Sequence, residues 1–549
     1  VSSPRRWWLG AALVAGLALA ASANSLGNGF AYDDVHAIQE DPRSATLDGW
    51  WKDFSSTYWG RRYGGDGYRP LTRIAYRLLW ATGGGSPKPF HAANISLHVA
   101  GAVAVLWLAC AVLPFAAALV AAALYAVHPV HTEAIANAVG LSELCVLLLA
   151  VIATGLYLYG RRRGPITWRR WTAIGVLYAA ACFFKEHAIV LPGVLVLAEL
   201  LVVSDPAPMR QRLNALRLPL LVSTAVALAY LWARTDVVRG VSGFIPAIAF
   251  RTLKLSATDR ILTMVGAAPE WFRLLLWPQR LIVDYAPPYI DIAEGPSLVQ
   301  LPGALLLAGT LGLAVACWRR SPVTSFGILW IAVTLLPASN LLIPSGVLVA
   351  ERTLMLPSVG AVLAIGSVIP LAWERLQPRR VLRITAIAAL AMLIALGIAR
   401  SASRNRVWRD NDALLTQSVK DAPTSYRVHW LLGNHLLATN RKSEGLPHMQ
   451  EALRLFPYDP LLPFVLADAL RERGNCSTAI PLYEWAFELS PGAKARQLGL
   501  AICLANTLRF DDARRAALEA LGHGAHYGTS IAVIRAIESA RDSVDRARD

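Results

Sequence analysis

Apolar residues recur in eleven runs of roughly membrane-crossing length, at about 7–23, 93–112, 114–128, 141–159, 171–184, 187–203, 217–233, 299–317, 322–338, 354–373 and 381–399. About twenty such residues in a helix span the hydrocarbon core of a bilayer, where only a helix satisfies its own backbone polar groups. The pattern predicts an all-α, polytopic membrane helix bundle of about 11 spans. A further apolar stretch, 259–277, would invert the side of every later loop if it crossed. It is therefore expected to be a re-entrant or interfacial segment on the outer face, with Trp271 and Trp277 at the headgroup level.

The pattern changes after residue 400. Polarity rises, and Pro423, Pro457 and Pro491 recur 34 residues apart. Leu432-Gly433, Leu466-Ala467 and Leu500-Ala501 keep the same interval, as do Ala452, Ala486 and Ala520. Small residues in fixed register let paired helices pack closely, and a proline ends the second helix of each pair. This is the tetratricopeptide period. It predicts two domains, a membrane domain over 1–400 and a short α-solenoid of about three repeats over 401–549. Such solenoids present a surface for peptides or proteins.

Composition agrees: of 549 residues, 55% are hydrophobic and 16% charged, too apolar for a soluble domain. The net charge of +16 resides largely in arginines between apolar runs: Arg5–Arg6, Arg161–Arg163, Arg169–Arg170, Arg210, Arg212, Arg217, Arg319–Arg320, Arg375, Arg379, Arg380 and Arg383. That distribution orients a membrane protein and does not describe a nucleic-acid surface. With Arg5 and Arg6 in the cytoplasm, every Arg-rich loop lies inside, and the loop after the first span, the loops at 129–140 and 339–353 and the tail lie outside. Ala21-Ser22-Ala23 resembles a signal-peptidase site, but the first run is expected to remain as an anchor. The preference for Arg over Lys suggests a bacterial chain, placed in the inner membrane with its tail in the periplasm. The six cysteines show no CxxC spacing.

The outer loops collect the polar chemistry. Asp33 and Asp34 follow the first span, and adjacent carboxylates serve to hold a cation or take a proton. Tyr68-Arg69-Pro70 closes the same long loop, where Arg69 can bind a phosphate bidentately. His128-Pro129-Val130-His131-Thr132-Glu133 can ligate a metal, bind a phosphate or cap the next helix. Lys185-Glu186 and Glu351-Arg352 stand at outer span ends, where charges are costly unless paired or used. Asp284 follows the interfacial segment and is a further candidate. The aromatics Trp50, Trp51, Tyr58 and Trp59 suit an interfacial belt. No P-loop, GxSxG or HExxH motif occurs, which argues against ATP use, a serine hydrolase or a zincin.

Taken in order, Asp33-Asp34, Trp59-Gly60, Tyr68-Arg69-Pro70-Leu71-Thr72, His91 with Asn94 and His98, His128 to Glu133, Lys185-Glu186, Asp284-Tyr285, Ala350-Glu351-Arg352 and Pro357-Ser358-Val359-Gly360 resemble the transmembrane-and-tetratricopeptide-repeat O-mannosyltransferases of the GT-C superfamily. The resemblance implies a GT-C-type bundle and a polyprenyl- or dolichyl-phosphate sugar as donor. It implies transfer to a protein hydroxyl on the non-cytoplasmic face, with the acceptor held by the repeats. The expected roles are Asp33 as catalytic base with Asp34 supporting it or holding a cation, or the reverse, and Arg69, Lys185 and Arg352 as donor-phosphate clamps. Tyr68, His91, His128, His131, Glu133, Glu186, Glu351 and Asp284 would form the wall. Whether a divalent metal takes part is open, as is which aspartate is the base. The chain departs from the family's animal members in its short repeat array. Two other classes compete: an oligosaccharide ligase or polymerase of the cell envelope, whose chemistry uses a large late outer loop, and a non-catalytic membrane scaffold, which would not need charges at several outer span ends.

Overall fold

The computed structural model describes residues 4–59, 67–238, 250, 253–491 and 497–548. Every regular element among them is helical. The chain divides into two compact units. The first comprises Val1–Pro246, Thr258–Val283 and Gly295–Gln417, and the second Ala247–Ala257, Asp284–Glu294 and Ser418–Asp549. One continuous helix, Arg380–Val407, runs through residue 400.

The first unit contains α1 (Pro4–Ser22), α2 (Pro70–Gly83), α3 (Lys88–Ala109), α4 (Phe115–Ala126), α5 (Thr132–Ala136), α6 (Leu141–Arg161), α7 (Trp168–Phe184), α8 (Leu191–Leu201) and α9 (Met209–Val238). It continues with α10 (Ala257–Gly266), α11 (Ala268–Leu276), α12 (Leu301–Arg320), α13 (Pro322–Leu335), α14 (Pro357–Leu376) and α15 (Arg380–Val407), and the division after Gln417 falls within α16 (Asn411–Asp421). Each of the eleven apolar runs is a helix. Among the described residues, seven helices are long and apolar enough to cross a membrane, or eight if the bent pair Phe115–Ala126 and Pro129–Ala136 is one span. The count is below eleven because several runs form short helices: α7 has 17 residues, α8 has 11 and α13 has 14. Residues 259–277 form no long helix. They break into α10 and α11, of 10 and 9 residues, and α11 packs on α12.

Packing follows residue size. α3 packs on α1, α4 and α6, and α13 packs on α14. The α13–α14 crossing is possible because Gly327 and Gly360 face each other. A Cβ on either would collide with the other's carbonyl oxygen, so only glycine admits this approach. The outer faces of α9, α12 and α15 stay apolar and exposed, with Trp232, Leu311 and Met392 among them, as lipid-facing helices require.

The ends of the helices differ in chemistry. Arg161, Arg319, Arg320 and Arg375 close α6, α12 and α14, while Arg210 and Arg380 open α9 and α15. Glu143 opens α6, and Lys185 and Glu186 directly follow α7.

The second unit is built from α17 (Tyr426–Ala438), α18 (Lys442–Leu455), α19 (Leu461–Glu472), α20 (Cys476–Leu489), α21 (Leu498–Asn506), α22 (Phe510–Gly522) and α23 (Tyr527–Arg548). The second helices of the pairs begin at Lys442, Cys476 and Phe510, keeping the 34-residue period. Ala452, Ala486 and Ala520 are all buried where paired helices meet. A disulfide joins Cys476 to Cys503.

Candidate active site

The two aspartates separate in role. Tyr32 adopts φ 56°, a left-handed conformation uncommon for a tyrosine, and its N–H donates to Asn411 Oδ1 at 2.7 Å. Asp34, two residues on, turns inward and is fully buried. Its oxygens accept the N–H groups of Ala138 at 3.0 Å, Val139 at 2.8 Å and Ala31 at 3.4 Å. It thus caps, from a distant segment, the turn that leads into α6. Burial raises its pKa from 3.8 to about 7, against the pull of those N–H bonds. Such a carboxylate is a structural pin. Its oxygens are engaged by backbone N–H groups. Among the described residues no group of three or more metal-ligating side chains occurs.

Asp33 is half-buried, with Oδ2 3.7 Å from Arg352 Nη2. Arg352 is fixed from behind by Glu133, which accepts both its backbone N–H at 2.7 Å and its Nη1 at 2.5 Å. Burial works against the Arg352 charge, but Glu133 and Asp33 outweigh it and hold its pKa above the usual arginine value. Lys185 Nζ donates to Glu143 Oε1 at 2.6 Å, and His187 Nε2 lies 3.2 Å from Glu143 Oε2. Burial, then the charges of Arg69 and Arg352, push the Lys185 pKa down, with Glu143 opposing. Arg69 makes a bidentate pair with Glu186 at 2.9 and 2.7 Å and lies 4.7 Å over the ring of Tyr58. Burial disfavours the Glu186 charge, but Arg69 prevails and keeps its pKa well below the carboxylate range.

Three cations from distant segments therefore converge beside Asp33. Glu133 and Glu143 are only 1% and 3% exposed, less than their partners Arg352 and Lys185, so these two glutamates brace their cations from behind. Glu143 and His187 were missed by the sequence reading. The available signal was a glutamate opening an apolar span, where an unused charge is costly.

Other side chains of the same sequence motifs are hydrogen-bonded within the protein. His91 Nε2 bonds Gly29 O at 3.2 Å, His128 Nε2 bonds Leu275 O at 3.0 Å, and His131 Nε2 meets Ser358 Oγ at 2.9 Å. Asn94 donates to the carbonyls of Ala134, Ile135 and Asn137. Glu351 accepts the N–H of Ile282 at 2.6 Å, and Tyr68 donates to Phe54 O at 2.9 Å. Asp284 belongs to the second unit, where it lies 3.5 Å from Arg427. The aromatic belt divides too. Trp50 and Trp51 are exposed, but Tyr58 is buried beneath Arg69 and bonded to Tyr76 at 3.1 Å.

An apolar helical unit with a charged cluster at one end, followed by helical repeats, defines a polytopic membrane protein with a tetratricopeptide tail. The tetratricopeptide repeat family matches residues 396–460 and 464–526. The homologues of the chain are protein O-mannosyl-transferases. Over 546 residues it is 26% identical to protein O-mannosyl-transferase TMTC3 of Homo sapiens, covering 91% of this chain and 58% of that protein. It is 27% identical to TMTC1 of Homo sapiens (81% and 55% covered) and 32% identical to Tmtc2 of Drosophila melanogaster over a shorter stretch (48% and 29%). The chain thus spans somewhat over half the length of TMTC3 and TMTC1. Among solved structures it is similar to the archaeal oligosaccharyltransferase AglB from Archaeoglobus fulgidus, with TM-score 0.41, 14% identity, and 74% of this chain and 56% of that one covered.

Proposed function

We propose that this chain is a GT-C-type membrane glycosyltransferase that moves a sugar, mannose by similarity to its relatives, from a polyprenyl- or dolichyl-phosphate donor to a protein hydroxyl on the non-cytoplasmic face. The observation that carries the reading is the convergence of Arg69, Lys185 and Arg352 beside Asp33, each cation braced by a glutamate. The donor already bears its leaving group, so the chain must take one proton and stabilise one departing phosphate. The acceptor oxygen attacks the sugar C1, the bond from C1 to the phosphate oxygen breaks, and the hydroxyl proton passes to Asp33. The charge arriving on the phosphate is met by Arg352, Lys185 and Arg69. Asp34 positions the loop that carries Asp33. The repeats would hold the acceptor protein.

The face of transfer is supported by two observations. The arginines and the charged cluster occupy opposite ends of the same helices. The disulfide Cys476–Cys503 is a bond that persists in oxidising compartments. For a bacterial chain, that face is the periplasmic side of the inner membrane.

The test is Asp33→Asn in the purified full chain, assayed with labelled polyprenyl-phosphate mannose and an acceptor protein. Loss of the base should lower turnover at least about 10²-fold. Unchanged turnover with normal folding would remove the mechanism.

A further inference from the structure

At the end of α6 remote from Asp34, the structure contains a cavity of about 350 Å³ that the proposed transfer reaction does not use. Asp34 bonds Ala138 and Val139 just before α6, and Arg161 closes that 21-residue helix. At 1.5 Å per residue the two ends lie about 30 Å apart, a bilayer core's thickness. The cavity is lined by the ends of α3, α6 and α8 and the start of α13, among them Ala111, Leu158, Arg161, Arg162, Ser204 and Val323. Its volume falls in the range of small-ligand sites.

The charges around it do not cancel. Arg161 is satisfied by Glu199 at 2.9 Å and Asp205 at 2.5 Å, and Arg212 shares Glu199 at 2.8 Å. Tyr157 donates to the other oxygen of Glu199 at 2.5 Å. Two carboxylates thus face two of the arginines. Arg162 is the third. It donates to the carbonyl of Ala111 and lies 5.5 Å over the ring of Tyr159. Among the described residues, it forms no ion pair with a carboxylate. The cavity also receives the first turn of α13. Pro322 has no N–H there, and Ser321 makes no side-chain cap bond, so the N–H of Val323 is without a capping acceptor. An unbalanced guanidinium, a serine and a helix N-terminus meet in a cleft whose remaining walls are apolar. That combination attracts a phosphate and tolerates hydrocarbon beside it.

We infer that this cavity binds a phosphate-bearing anion, the headgroup of an anionic membrane lipid, at the face opposite the charged cluster. Arg162 supplies the main charge, and the start of α13 supplies an N–H donor. The site would clamp the ends of α3, α6, α8 and α13 together.

The experiment uses the full chain purified in an uncharged maltoside detergent. Binding is read by native mass spectrometry and by the shift in melting temperature. The probes are dioleoylphosphatidylglycerol, dioleoylphosphatidylcholine and inorganic phosphate. Phosphatidylglycerol should bind and stabilise the chain, and phosphatidylcholine should do neither. Arg162→Gln should weaken phosphatidylglycerol about tenfold, the lower range for losing one charge-assisted hydrogen bond. Arg169→Gln, at the start of α7 beside Trp168, should leave affinity unchanged. Ser204→Trp fills the cavity without touching the charge and should also weaken binding, which decides the matter if Arg162→Gln does not fold. An Arg162-dependent shift with inorganic phosphate alone would support the site and assign it to a soluble ligand. Equal phosphatidylglycerol affinity in wild type, Arg162→Gln and Ser204→Trp would overturn it.

Discussion

Asp33 and Asp34 show how far one residue's environment can differ from its neighbour's. The Asp34 carboxyl has a pKa of 3.8 in the unfolded chain and about 7 in the folded one. Below the first value both states are protonated, and above the second both are ionised. Between them the native state keeps a proton that the unfolded chain has released, so stability declines as pH rises through that window. Asp34→Asn removes this titration, and the difference in melting temperature between wild type and variant should change from about pH 4 to pH 7 and then level off. The variant should also be less stable wherever its amide leaves a backbone N–H unmet, by about 1–3 kcal/mol. A difference independent of pH would show that Asp34 does not titrate as a buried group. Sequence could single out the pair but not divide it, because inward and outward orientation depends on Ala138 and Val139, more than a hundred residues away. Arg69, Lys185 and Arg352 were legible as charges at span ends, where a free charge is costly. Glu143, in the first turn of an apolar run, carried the same signal but was not singled out. The segment that carries Asp284 belongs with the repeats, where Pro287 O accepts the N–H of Tyr426 at 3.0 Å, a partnership that sequence spacing does not reveal.

At the scale of elements, the repeat period was the most legible feature, since it rests on small residues and prolines that the packing itself demands. The structure adds a backbone requirement at the same interval. Asn440, Gly474 and Leu508 all have positive φ, at 62°, 77° and 64°, in the turn between the helices of each pair. Asparagine and glycine tolerate that conformation, whereas leucine pays about 1–2 kcal/mol for it. Leu508 is also 58% exposed, so little packing is lost on replacing it. Leu508→Asn, copying the first repeat, should stabilise the chain by about 1 kcal/mol. The check is amide hydrogen exchange, which should slow in α21 and α22. Faster exchange there would mean that the side chain contributes more than its backbone costs. The membrane runs were legible as helices but not in length: hydropathy marks where a helix is apolar, while turns such as those around Lys185 and Pro129 decide where it stops.

For the whole molecule, the remaining question is which side each surface faces, and the connections at the end of the first unit bear on it. Asn405 Nδ2 donates to Ala21 O at 2.9 Å, Asn28 Nδ2 donates to Asn405 O at 3.0 Å, and Gly29 N donates to Arg409 O at 2.8 Å. The end of α15 is therefore fastened to the segment leading to Asp33, far from the Arg380 end of the same helix. In the proposed orientation, arginine asymmetry puts the charged cluster on the non-cytoplasmic side, and a disulfide at Cys476–Cys503 is expected to persist in that oxidising compartment. These arguments are independent, and one experiment joins them. In intact cells, a membrane-impermeant thiol reagent should label Ser543→Cys, on the exposed face of α23, and should not label Pro165→Cys, in the loop between α6 and α7. Cys476 and Cys503 should resist alkylation in the unfolded chain until a reductant is added. Labelling of Pro165→Cys but not Ser543→Cys, with both native thiols free, would invert the orientation and put the charged cluster on the cytoplasmic side, where the proposed transfer chemistry would not apply.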